Sequence, residues 1–442
     1  MKEQILQNIE DRNYTVGIVG LGYVGLPLLW TFHEKGYKVV GFDVDQSKID
    51  AINHGKTYIK HFTDDKLQKL ADSGRCALST NFSDAGGVDA VMMCVPTPLN
   101  KYREPDMSYV EATTRSIAPF IKKGQLIVLE STTYPGTTEE LIKPICEELS
   151  GLKSGEDFYL GYSPEREDPG NPSFVTATIP KVVGGDGADA LAVSIALYSS
   201  VINQAVPVSD TKTAEAVKLL ENIFRSVNIA LVNELKVVFE EMDIDIYEVI
   251  NAAKTKPFGY MPFYPGPGLG GHCIPIDPFY LTWKAREYGL NTRFIELAGE
   301  VNTDMPKYVL KRTMEALNCQ GKAVSRSKVL CVGLAYKPDV DDMRESPTYH
   351  IMDLLDKYGA QVDYHDDYVP VIPPTREHAH WAGYKSVPFD QQTFSQYDAV
   401  IITTNHSYLD IQKLYDWSKC IIDTRNALEY LGTTDNHKVW KA

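Results

Sequence analysis

Short apolar runs separated by segments with helical spacing make up the N-terminal third of the chain. The runs are YTVGIVG, KVVGFDV, DAVMMCVP and QLIVLEST. Runs of this length, bounded by turn residues, are typical of buried strands, and the helical segments between them predict a βαβ series with a parallel sheet. KVLCVGLAY, QVDYHDD, DAVIITTNHS and CIIDTRN repeat the order near the C-terminus. The repeat predicts an α/β protein with two doubly wound, Rossmann-like domains.

Between the two halves lies a stretch whose apolar positions recur every three or four residues. It runs from Thr213 to Met242, and its apolar residues stand at positions 217, 220, 224, 227, 231, 235, 238 and 242. This spacing predicts one apolar face on a long helix. A helix of that length can join two domains and also carry a dimer contact.

The composition narrows the class of protein. The 442 residues are too many for one core, so we expect two or three domains. The net charge of −15 argues against a broad nucleic-acid surface.

No apolar run is long enough to span a bilayer and the first residues contain no secretory h-region, so we expect a cytoplasmic protein without a membrane anchor. The seven cysteines are scattered without a CxxC pair, which fits a reducing compartment and predicts no structural zinc and no other metal site.

The first predicted strand is followed by GLGYVG, in which three glycines are spaced for a dinucleotide. They allow a tight turn, let the backbone approach a pyrophosphate, and let the next helix pack on the strand. Asp43 ends the second strand, where its carboxylate can bind ribose hydroxyls and would repel a 2′-phosphate. The pattern predicts NAD rather than NADP, and a glycine turn that binds nothing is the alternative. The predicted contacts are Gly20, Gly22, Tyr23, Val24, Gly25, Asp43 and Lys48, the last bracing the adenosine side.

Three further loops carry candidate chemistry. VPTP at 95–98 and ESTTYPG at 130–136 each follow a predicted strand, so both lie at the sheet edge where α/β proteins bind ligands. Thr97 and Thr132 are therefore candidate cofactor contacts, with ordinary Pro-rich turns as the alternative. In PGPGLGGHC, Cys273 follows four glycines and two prolines, where a small molecule can approach the sulfur closely.

Taken in order, the motifs resemble those of the UDP-glucose/GDP-mannose dehydrogenase family from about residue 14 to the end of the chain. They are GLGYVGLP, VPTP, ESTTYPG, SPERE, the helix segment from Lys218 to Asn222, GGHCIPIDP, AYKPDVDDMRESP and IDTRN. The resemblance implies an NAD-dependent nucleotide-sugar 6-dehydrogenase that oxidises a C6 alcohol to a carboxylate with two NAD and a catalytic cysteine. The expected domains are an NAD-binding Rossmann domain at 1–208, a central helical domain at 209–318 and a UDP-sugar-binding Rossmann-like domain at 319–442.

The catalytic residues follow from this chemistry and the resemblance together. The second hydride can leave only after the aldehyde has gained a nucleophile, and a thiolate forms a thiohemiacetal and then a thioester. Cys273 fits that role, with an inert loop cysteine as the alternative. Lys218 and Asn222, at helical spacing, hold the developing oxyanion by resemblance. Glu165 can orient water for hydrolysis or form a surface ion pair, and Asp277 can position water or Lys218 or cap the next helix.

Two departures from the family pattern bear on the site. SPEREDPGN at 163–171 replaces the NPEF of the UDP-glucose branch and resembles the branch acting on UDP-N-acetylhexosamines, chiefly UDP-N-acetylglucosamine. STTYP has one residue more than the family's shorter STVP form. Thr132 is therefore the better match to the family's catalytic threonine, and Thr133 stays open.

Basic and aromatic residues of the second half complete the expected substrate site. Lys337 can hold the substrate phosphate, Arg425 can contact the nucleotide, and Arg344 is expected to reach the nicotinamide cofactor; solvated surface positions are the alternative. FGYMPFYPGPG at 258–268 can mould backbone amides around a pyrophosphate and offer aromatic surface to uracil. The predicted substrate contacts are Glu165, Arg166, Lys218, Asn222, Arg225, Phe263, Tyr264, Gly266, Gly270, Tyr336, Lys337 and Arg425.

Three other functions stay open at this point. UDP-glucose is a rival substrate for the same reaction. A single-hydride hydroxy-acid dehydrogenase can share the Rossmann domain, the long helix and a lysine–asparagine pair, but it needs no cysteine. A nucleotide-sensing protein could keep the fold without turnover. The expected partners are a UDP-sugar and a second copy of the chain in a homodimer or larger homo-oligomer, and the expected product is a polysaccharide or glycan precursor.

Overall fold

The computed structural model describes residues 1–59, 62–100, 102–166, 178–271, 274–375, 377–431 and 438–442. The chain forms two compact units. The first contains Met1–Glu221 and Phe279–Asn291, and the second contains Asn222–Pro278 and Thr292–Ala442. The domain boundaries expected after residues 208 and 318 stay a prediction.

The first unit is built on an eight-stranded sheet with the order β3-β2-β1-β4-β5-β6-β7-β8. Its strands are β1 Thr15–Val19, β2 Lys38–Phe42, β3 Cys76–Ser79, β4 Ala90–Met93, β5 Leu126–Leu129, β6 Tyr159–Tyr162, β7 Lys181–Gly185 and β8 Ala205–Pro207. The neighbouring strands from β3 to β6 pair in parallel, which confirms the predicted βαβ series. β7 runs antiparallel to β6, a reversal that the sequence pattern did not predict.

Both faces of this sheet are covered, which explains why its strands are apolar without alternation. In β4, Ala90 and Met92 enter one hydrophobic cluster, whereas Val91 and Met93 enter the cluster on the other face. Successive side chains of a strand point to opposite faces, so a strand buried on both sides needs apolar residues at every position. The helices of this unit are α1 Lys2–Glu10, α2 Gly25–Glu34, α3 Gln46–Asn53, α4 Asp64–Asp72, α5 Ser108–Ile117, α6 Lys143–Ser150 and α7 Ala188–Ser199.

The second unit contains a five-stranded parallel sheet with the order β10-β9-β11-β12-β13. Its strands are β9 Lys328–Val332, β10 Gln361–His365, β11 Ala399–Ile402, β12 Ile421–Asp423 and β13 Val439–Lys441. The strand order reverses at β9, as it does at β1 in the first sheet, so both sheets are doubly wound, as predicted. Ligands of such sheets bind beyond the carboxyl ends of the strands at this reversal.

Helices fill the middle of the chain and flank the second sheet. They are α8 Thr211–Glu240, α9 Ile246–Ala253, α10 Asp277–Glu287, α11 Arg293–Cys319, α12 Pro347–Lys357, α13 Gln391–Phe394 and α14 Ile411–Trp417. The helical middle region and the long helix α8 are confirmed. Within the described ranges, no helix combines the length and the hydropathy that crossing a bilayer requires.

Helix α8 turns the apolar face predicted for it outward. Leu220, Phe224, Leu231 and Val238 are exposed. The opposite face is buried although it is largely polar, and its buried side chains include Glu215, Lys218, Asn222, Ser226, Asn233 and Lys236. The polar residues of α8 therefore face the interior of the chain, and an apolar stripe remains on its surface.

Candidate active site

The glycines after β1 form a cradle that only glycine can build. Gly20 has a φ of +90°, and a Cβ there would lie 2.3 Å from the carbonyl oxygen of Cys94. A Cβ on Gly25 would lie 1.8 Å from the carbonyl oxygen of Gly20. At Gly22 no atom lies within 4 Å of that position, which leaves space for a ligand to approach the backbone. α2 begins at Gly25 with no side-chain cap hydrogen bond, and a helix N-terminus of this kind favours a pyrophosphate. The residues present fit a dinucleotide.

Asp43 links this cradle to the end of β2. Its Oδ2 accepts a hydrogen bond from the Leu21 N–H (2.8 Å), and its Oδ1 accepts one from the Asp45 N–H (3.0 Å). The Lys48 ammonium pairs with Oδ2 at 2.9 Å. Asp43 is only 5% exposed, so its carboxylate is fixed at the position expected for a ribose contact. Lys48 is therefore connected to the dinucleotide cradle by its ion pair with Asp43.

The loops after β4 and β5 are tied to each other at the same edge of the sheet. The Ser131 hydroxyl accepts a hydrogen bond from the Val95 N–H (3.0 Å) and donates one to the Val95 carbonyl (2.6 Å). Thr97 is buried, and its carbonyl accepts a hydrogen bond from the Tyr280 hydroxyl. Thr132 is half-buried, whereas Thr133 is fully buried and its hydroxyl has no hydrogen-bond partner among the described residues. A ligand can therefore reach Thr132 more readily than Thr133.

Glu215, at the start of α8, holds the segment that follows. Its carboxylate accepts hydrogen bonds from the N–H groups of Gly136 (2.5 Å) and Thr138 (3.0 Å). Burial raises the pKa of Glu215 to about 7. The ESTTYPG loop is thus fastened to the helix that carries Lys218.

Lys218 and Glu165 form a largely buried pair. The Lys218 Nζ donates to the Glu165 carbonyl oxygen (2.5 Å) and lies 3.3 Å from its Oε2. Arg166, the next residue, pairs with Glu221 and also donates to the Pro180 carbonyl. Lys218 is 5% exposed and the Glu165 side chain is 14% exposed, so the ion pair lies largely out of solvent, and the catalytic role of Glu165 stays a prediction. Glu167 and the rest of the SPEREDPGN segment lie outside the described residues.

A small cavity brings one predicted cofactor residue and two predicted substrate residues of the first unit together. Val24, Glu165 and Arg166 line it, and its volume is about 20 Å³, which is roughly the space of one water molecule. Glu130, at the end of β5, lines the same cavity. The Glu130 carboxylate accepts hydrogen bonds from the Lys181 ammonium (2.6 Å) and from the Tyr198 hydroxyl. Sequence reasoning missed this network.

Asn222, one turn after Lys218 on α8, is held by Asp277. The Asn222 Nδ2 donates to the Asp277 Oδ2 at 2.5 Å, and both side chains are buried. Asp277 is the first residue of α10, the helix that it had been expected to cap. From this position its carboxylate orients the Asn222 amide. Arg225, which was predicted as a substrate contact, is exposed, whereas Lys218 and Asn222 are buried.

The loop before Cys273 depends on its glycines. The Gly266 N–H donates to the Asn233 Oδ1 (3.0 Å), and a Cβ on Gly266 would lie 2.6 Å from the Arg425 guanidinium. A Cβ on Gly270 would lie 2.6 Å from the Cβ of Tyr336. The loop is therefore packed against Tyr336 and Arg425, as expected for a substrate loop. Cys273 and His272 lie outside the described residues.

Tyr264 and Arg425 also line a larger pocket in the second unit, with a volume of about 410 Å³. The Arg425 Nε donates to the Thr403 carbonyl at 2.8 Å, which fixes the guanidinium at the pocket wall. The other lining residues are Tyr247, Asn251, Lys254, Pro265, Asn426 and Glu429. The sequence reasoning missed most of them. Tyr247 and Asn251 stand at i and i+4 on α9, and Lys254 follows at i+7 directly after the helix, so this spacing could have identified them. Phe263 lies in a T-shaped contact with Phe224.

The segment after β9 carries three predicted ligand contacts. Lys337 is half-buried, and its ammonium lies 5.8 Å from the ring centre of Tyr336. Arg344 is exposed, and its guanidinium pairs with Asp342 at 2.6 Å. The reach of Arg344 to the nicotinamide stays a prediction.

Three domains of one family match consecutive parts of the chain. The NAD binding domain matches residues 14–202, the central domain 212–304 and the UDP binding domain 330–430. The chain belongs to the UDP-glucose/GDP-mannose dehydrogenase family. It is an NAD-dependent nucleotide-sugar dehydrogenase and hence an oxidoreductase. The expected NAD cofactor and the nucleotide-binding role of the second Rossmann-like domain are confirmed at the level of the family.

Several members of the family are similar over most of their length. The chain is 36% identical over 397 residues to a UDP-N-acetyl-D-glucosamine 6-dehydrogenase of Pseudomonas aeruginosa, covering 90% of this chain and 91% of the relative. It is 33% identical over 421 residues to an NDP-N-acetyl-D-galactosaminuronic acid dehydrogenase of Ralstonia nicotianae, covering 93% and 95%. The solved UDP-D-ManNAc dehydrogenase of Pyrococcus horikoshii aligns with a TM-score of 0.87 at 31% identity, covering 97% and 98%.

Proposed function

We propose that the chain oxidises the C6 alcohol of a UDP-N-acetylhexosamine to the uronic acid, with UDP-N-acetyl-D-glucosamine as the substrate. NAD, when bound, accepts one hydride in each of two oxidations. The alcohol first loses a hydride and a proton to give the aldehyde. The Cys273 thiolate then adds to the aldehyde carbon, and loss of the second hydride leaves a thioester. Water cleaves the C–S bond and returns the thiol and the carboxylate.

The observation that carries this proposal is the cavity shared by Val24 and Glu165. A single-hydride dehydrogenase needs no hydrolytic carboxylate beside its dinucleotide turn. Here the carboxylate of Glu165 is paired with Lys218 and lines a cavity that has space for about one water molecule. Glu165 is therefore proposed to orient the water that hydrolyses the thioester.

The remaining catalytic roles rest on burial and hydrogen bonding. Lys218 and Asn222 are proposed to stabilise the oxyanion at C6, since charged and amide donors on a rigid helix are worth more in a water-poor site. Asp277 fixes the orientation of the Asn222 amide through its 2.5 Å hydrogen bond. Thr132 is the proposed catalytic threonine and a cofactor contact, because its side chain is more accessible than that of Thr133.

The UDP group is proposed to bind in the second unit. Tyr264 and Arg425 line a pocket of about 410 Å³, a size suited to part of a small-molecule ligand. The aromatic ring offers a face to uracil and the guanidinium offers donors to phosphate or ribose. Lys337 is proposed as a phosphate contact at the strand-order reversal of this sheet.

The identity of the sugar rests on the SPERE segment and on the relatives. The relatives named above act, by their names, on gluco, galacto and manno forms of N-acetylated sugars. The SPEREDPGN segment, in place of NPEF, favours an N-acetylhexosamine over glucose. UDP-glucose is the second candidate, because it is a substrate named in the family description.

The test is a panel of UDP-sugars in which NADH released per sugar consumed is measured together with the product. Two NADH per sugar and a uronic acid are expected, with the highest kcat/KM on UDP-N-acetyl-D-glucosamine. One NADH per sugar would overturn the two-step oxidation. Preference for another epimer or for UDP-glucose would overturn only the sugar assignment.

We also infer a homodimer. The exposed apolar stripe of α8 contains Leu220, Phe224, Leu231 and Val238. Large apolar side chains exposed along one helix face are typical of a protein–protein contact. A cytoplasmic location and a role in supplying a glycan precursor stay predictions.

A further inference from the structure

Three of the ten histidines surround one carboxylate in the second unit. The Asp353 Oδ2 lies 2.9 Å from the His378 Nδ1, and its Oδ1 lies 2.8 Å from the His380 Nε2. The rings of His350 and His378 are 5.1 Å apart in a T-shaped arrangement. Ligand atoms of His350, Asp353 and His378 all lie within 4.8 Å of one another. These side chains have no part in the reaction proposed above.

We propose that His350, Asp353 and His378 form a binding site for a divalent transition metal of the Zn²⁺ class. Imidazole nitrogen and carboxylate oxygen are the ligands that Zn²⁺ takes at about 2.0–2.2 Å, mostly in a tetrahedron. Tetrahedral ligands at that distance are separated by roughly 3.3 Å. The contact from Asp353 to His378 (2.9 Å) is already close to this value, and the His350 ligand atom lies within 4.8 Å of both.

The three proposed ligands come from helix α12 and from the segment that packs on it. His350 and Asp353 are three residues apart on α12, so their side chains share one helix face. His378 and His380 come from the segment that packs over this face. The metal would therefore join two separate parts of the chain, as structural metals do.

Neighbouring groups orient the ligands. The Trp381 indole N–H, which cannot bind a metal, donates to the Asp353 Oδ1 at 2.7 Å. The His378 ring stacks on the buried Tyr349 ring at 4.7 Å with an interplanar angle of 10°. Hydrogen bonds and packing of this kind around the ligands fix carboxylate and imidazole orientation in metal sites.

The position of α12 connects the site to the substrate loop. α12 begins at Pro347, one turn before His350. Cβ atoms built on Gly268 and Gly270 would lie 3.0 and 3.1 Å from Pro347 atoms, so Pro347 packs directly against the loop that leads to Cys273. A metal that fixes α12 would therefore also limit the movement of this loop.

The experiment uses full-length protein stripped of metal with a chelator. Equilibrium dialysis against Zn²⁺ should give one ion per chain, and the thermal midpoint should rise with Zn²⁺ because the ion binds the folded state. His350→Ala should weaken Zn²⁺ binding by about 100-fold. Changing a residue that only contacts a metal ligand already costs about 10- to 100-fold, and His350 is itself a proposed ligand. His350 is exposed on a helix, so this variant should keep the thermal midpoint of the metal-free protein. His54→Ala, at another exposed helix-end histidine, is the matched control and should bind Zn²⁺ like the parent.

Co²⁺ distinguishes this site from binding to cysteine. A cobalt complex of His350, Asp353 and His378 should show visible d–d bands without a thiolate-to-cobalt charge-transfer band. Substoichiometric Zn²⁺ binding, a thiolate band, or full affinity in His350→Ala would overturn the proposal. Asp353→Asn gives a second check, since it keeps an oxygen acceptor for Trp381 but removes the anionic ligand, and unchanged Zn²⁺ affinity in this variant would also overturn it.

Discussion

The Lys218 ammonium lies 2.5 Å from the backbone carbonyl oxygen of Glu165 and 3.3 Å from its carboxylate oxygen Oε2. One cation thus contacts both the main chain and the side chain of the same residue. The two side chains are only 7% and 14% exposed, so water screens their charges little. Lys218 therefore fixes the position of a carboxylate just after β6, where Glu165 is proposed to orient the hydrolytic water.

Glu165→Gln should slow thioester hydrolysis while both hydride transfers persist. The amide keeps the size of the side chain and an oxygen acceptor for Lys218, but it is not a base. We expect a burst of NADH in the first turnover, followed by steady-state turnover about 10²- to 10⁴-fold slower, the usual contribution of a general base. Intact mass should show a covalent sugar adduct.

Glu156→Gln, an exposed change in the same unit, should leave both phases unchanged. Steady-state turnover of Glu165→Gln at the parent rate would exclude Glu165 from hydrolysis. Loss of the NADH burst in Glu165→Gln would mean that Glu165 acts in a step before the thioester forms.

Cys273→Ser should stop steady-state turnover, because a hydroxyl is a weaker nucleophile and the resulting ester is harder to hydrolyse than a thioester. A covalent or aldehyde-level species should remain on the enzyme, detectable by mass spectrometry. Cys319→Ser, at an exposed cysteine at the end of α11, is the control and should be fully active. Normal turnover of Cys273→Ser would end the thioester hypothesis.

The sheets and the dinucleotide cradle were predictable because their signals are local. Gly20 and Gly25 stand at fixed positions after an apolar run, and their requirement for glycine is set by backbone atoms within the same turn. Parallel strands with both faces buried are apolar at every position, so β4 and β5 were recognisable from the sequence alone.

The direction of the apolar face of α8 could not be predicted. Periodicity identifies a face, but it does not say whether that face packs inside the chain. The inward face is polar because its side chains bond to distant residues, as Asn233 does to Asn302 at 2.9 Å. The Glu130 network with Lys181 and Tyr198 was missed for the same reason, since its partners come together only in the folded sheet.

Asp43→Asn should weaken NAD binding and reduce discrimination against NADP, since it removes the charge that repels a 2′-phosphate. A hydrogen bond to a charged group contributes about 1.5–3 kcal/mol, so the Kd for NAD should rise about tenfold or more. Asparagine is a better test than alanine. The Asp43 carboxylate also accepts hydrogen bonds from the N–H groups of Leu21 and Asp45, and alanine would remove every acceptor for them together with the charge. Titration with each cofactor is the measurement.

Asp50→Asn, an exposed change on α3, should not alter either affinity. Unchanged NAD affinity and an unchanged NAD/NADP ratio in Asp43→Asn would show that Asp43 does not contact the ribose.

Leu231→Glu should convert the proposed dimer into a monomer. Leu231 is 53% exposed, so a carboxylate there should cost the single chain little, about 0.5 kcal/mol or less. In a dimer contact through α8, the same charge would be buried without a partner. Light scattering on a sizing column measures the mass. Glu234→Gln, at an exposed polar position of the same helix, should stay dimeric, and a dimeric Leu231→Glu would exclude this face from the contact.

Lys337→Ala tests the division of labour between the two sheets. The first sheet is proposed to hold NAD through the Gly20–Gly25 turn, and the second to hold the UDP-sugar through Lys337 and Arg425. Loss of a charge-assisted hydrogen bond to phosphate should raise the KM for the sugar about tenfold or more, corresponding to roughly 1.5–3 kcal/mol. The Kd for NAD should stay within experimental error of the parent value. Lys357→Ala, at an exposed lysine at the end of α12, controls for the loss of one positive charge from the same unit and should leave both constants unchanged. If Lys337→Ala instead loses NAD affinity and keeps its KM for the sugar, the assignment of one ligand to each sheet is wrong.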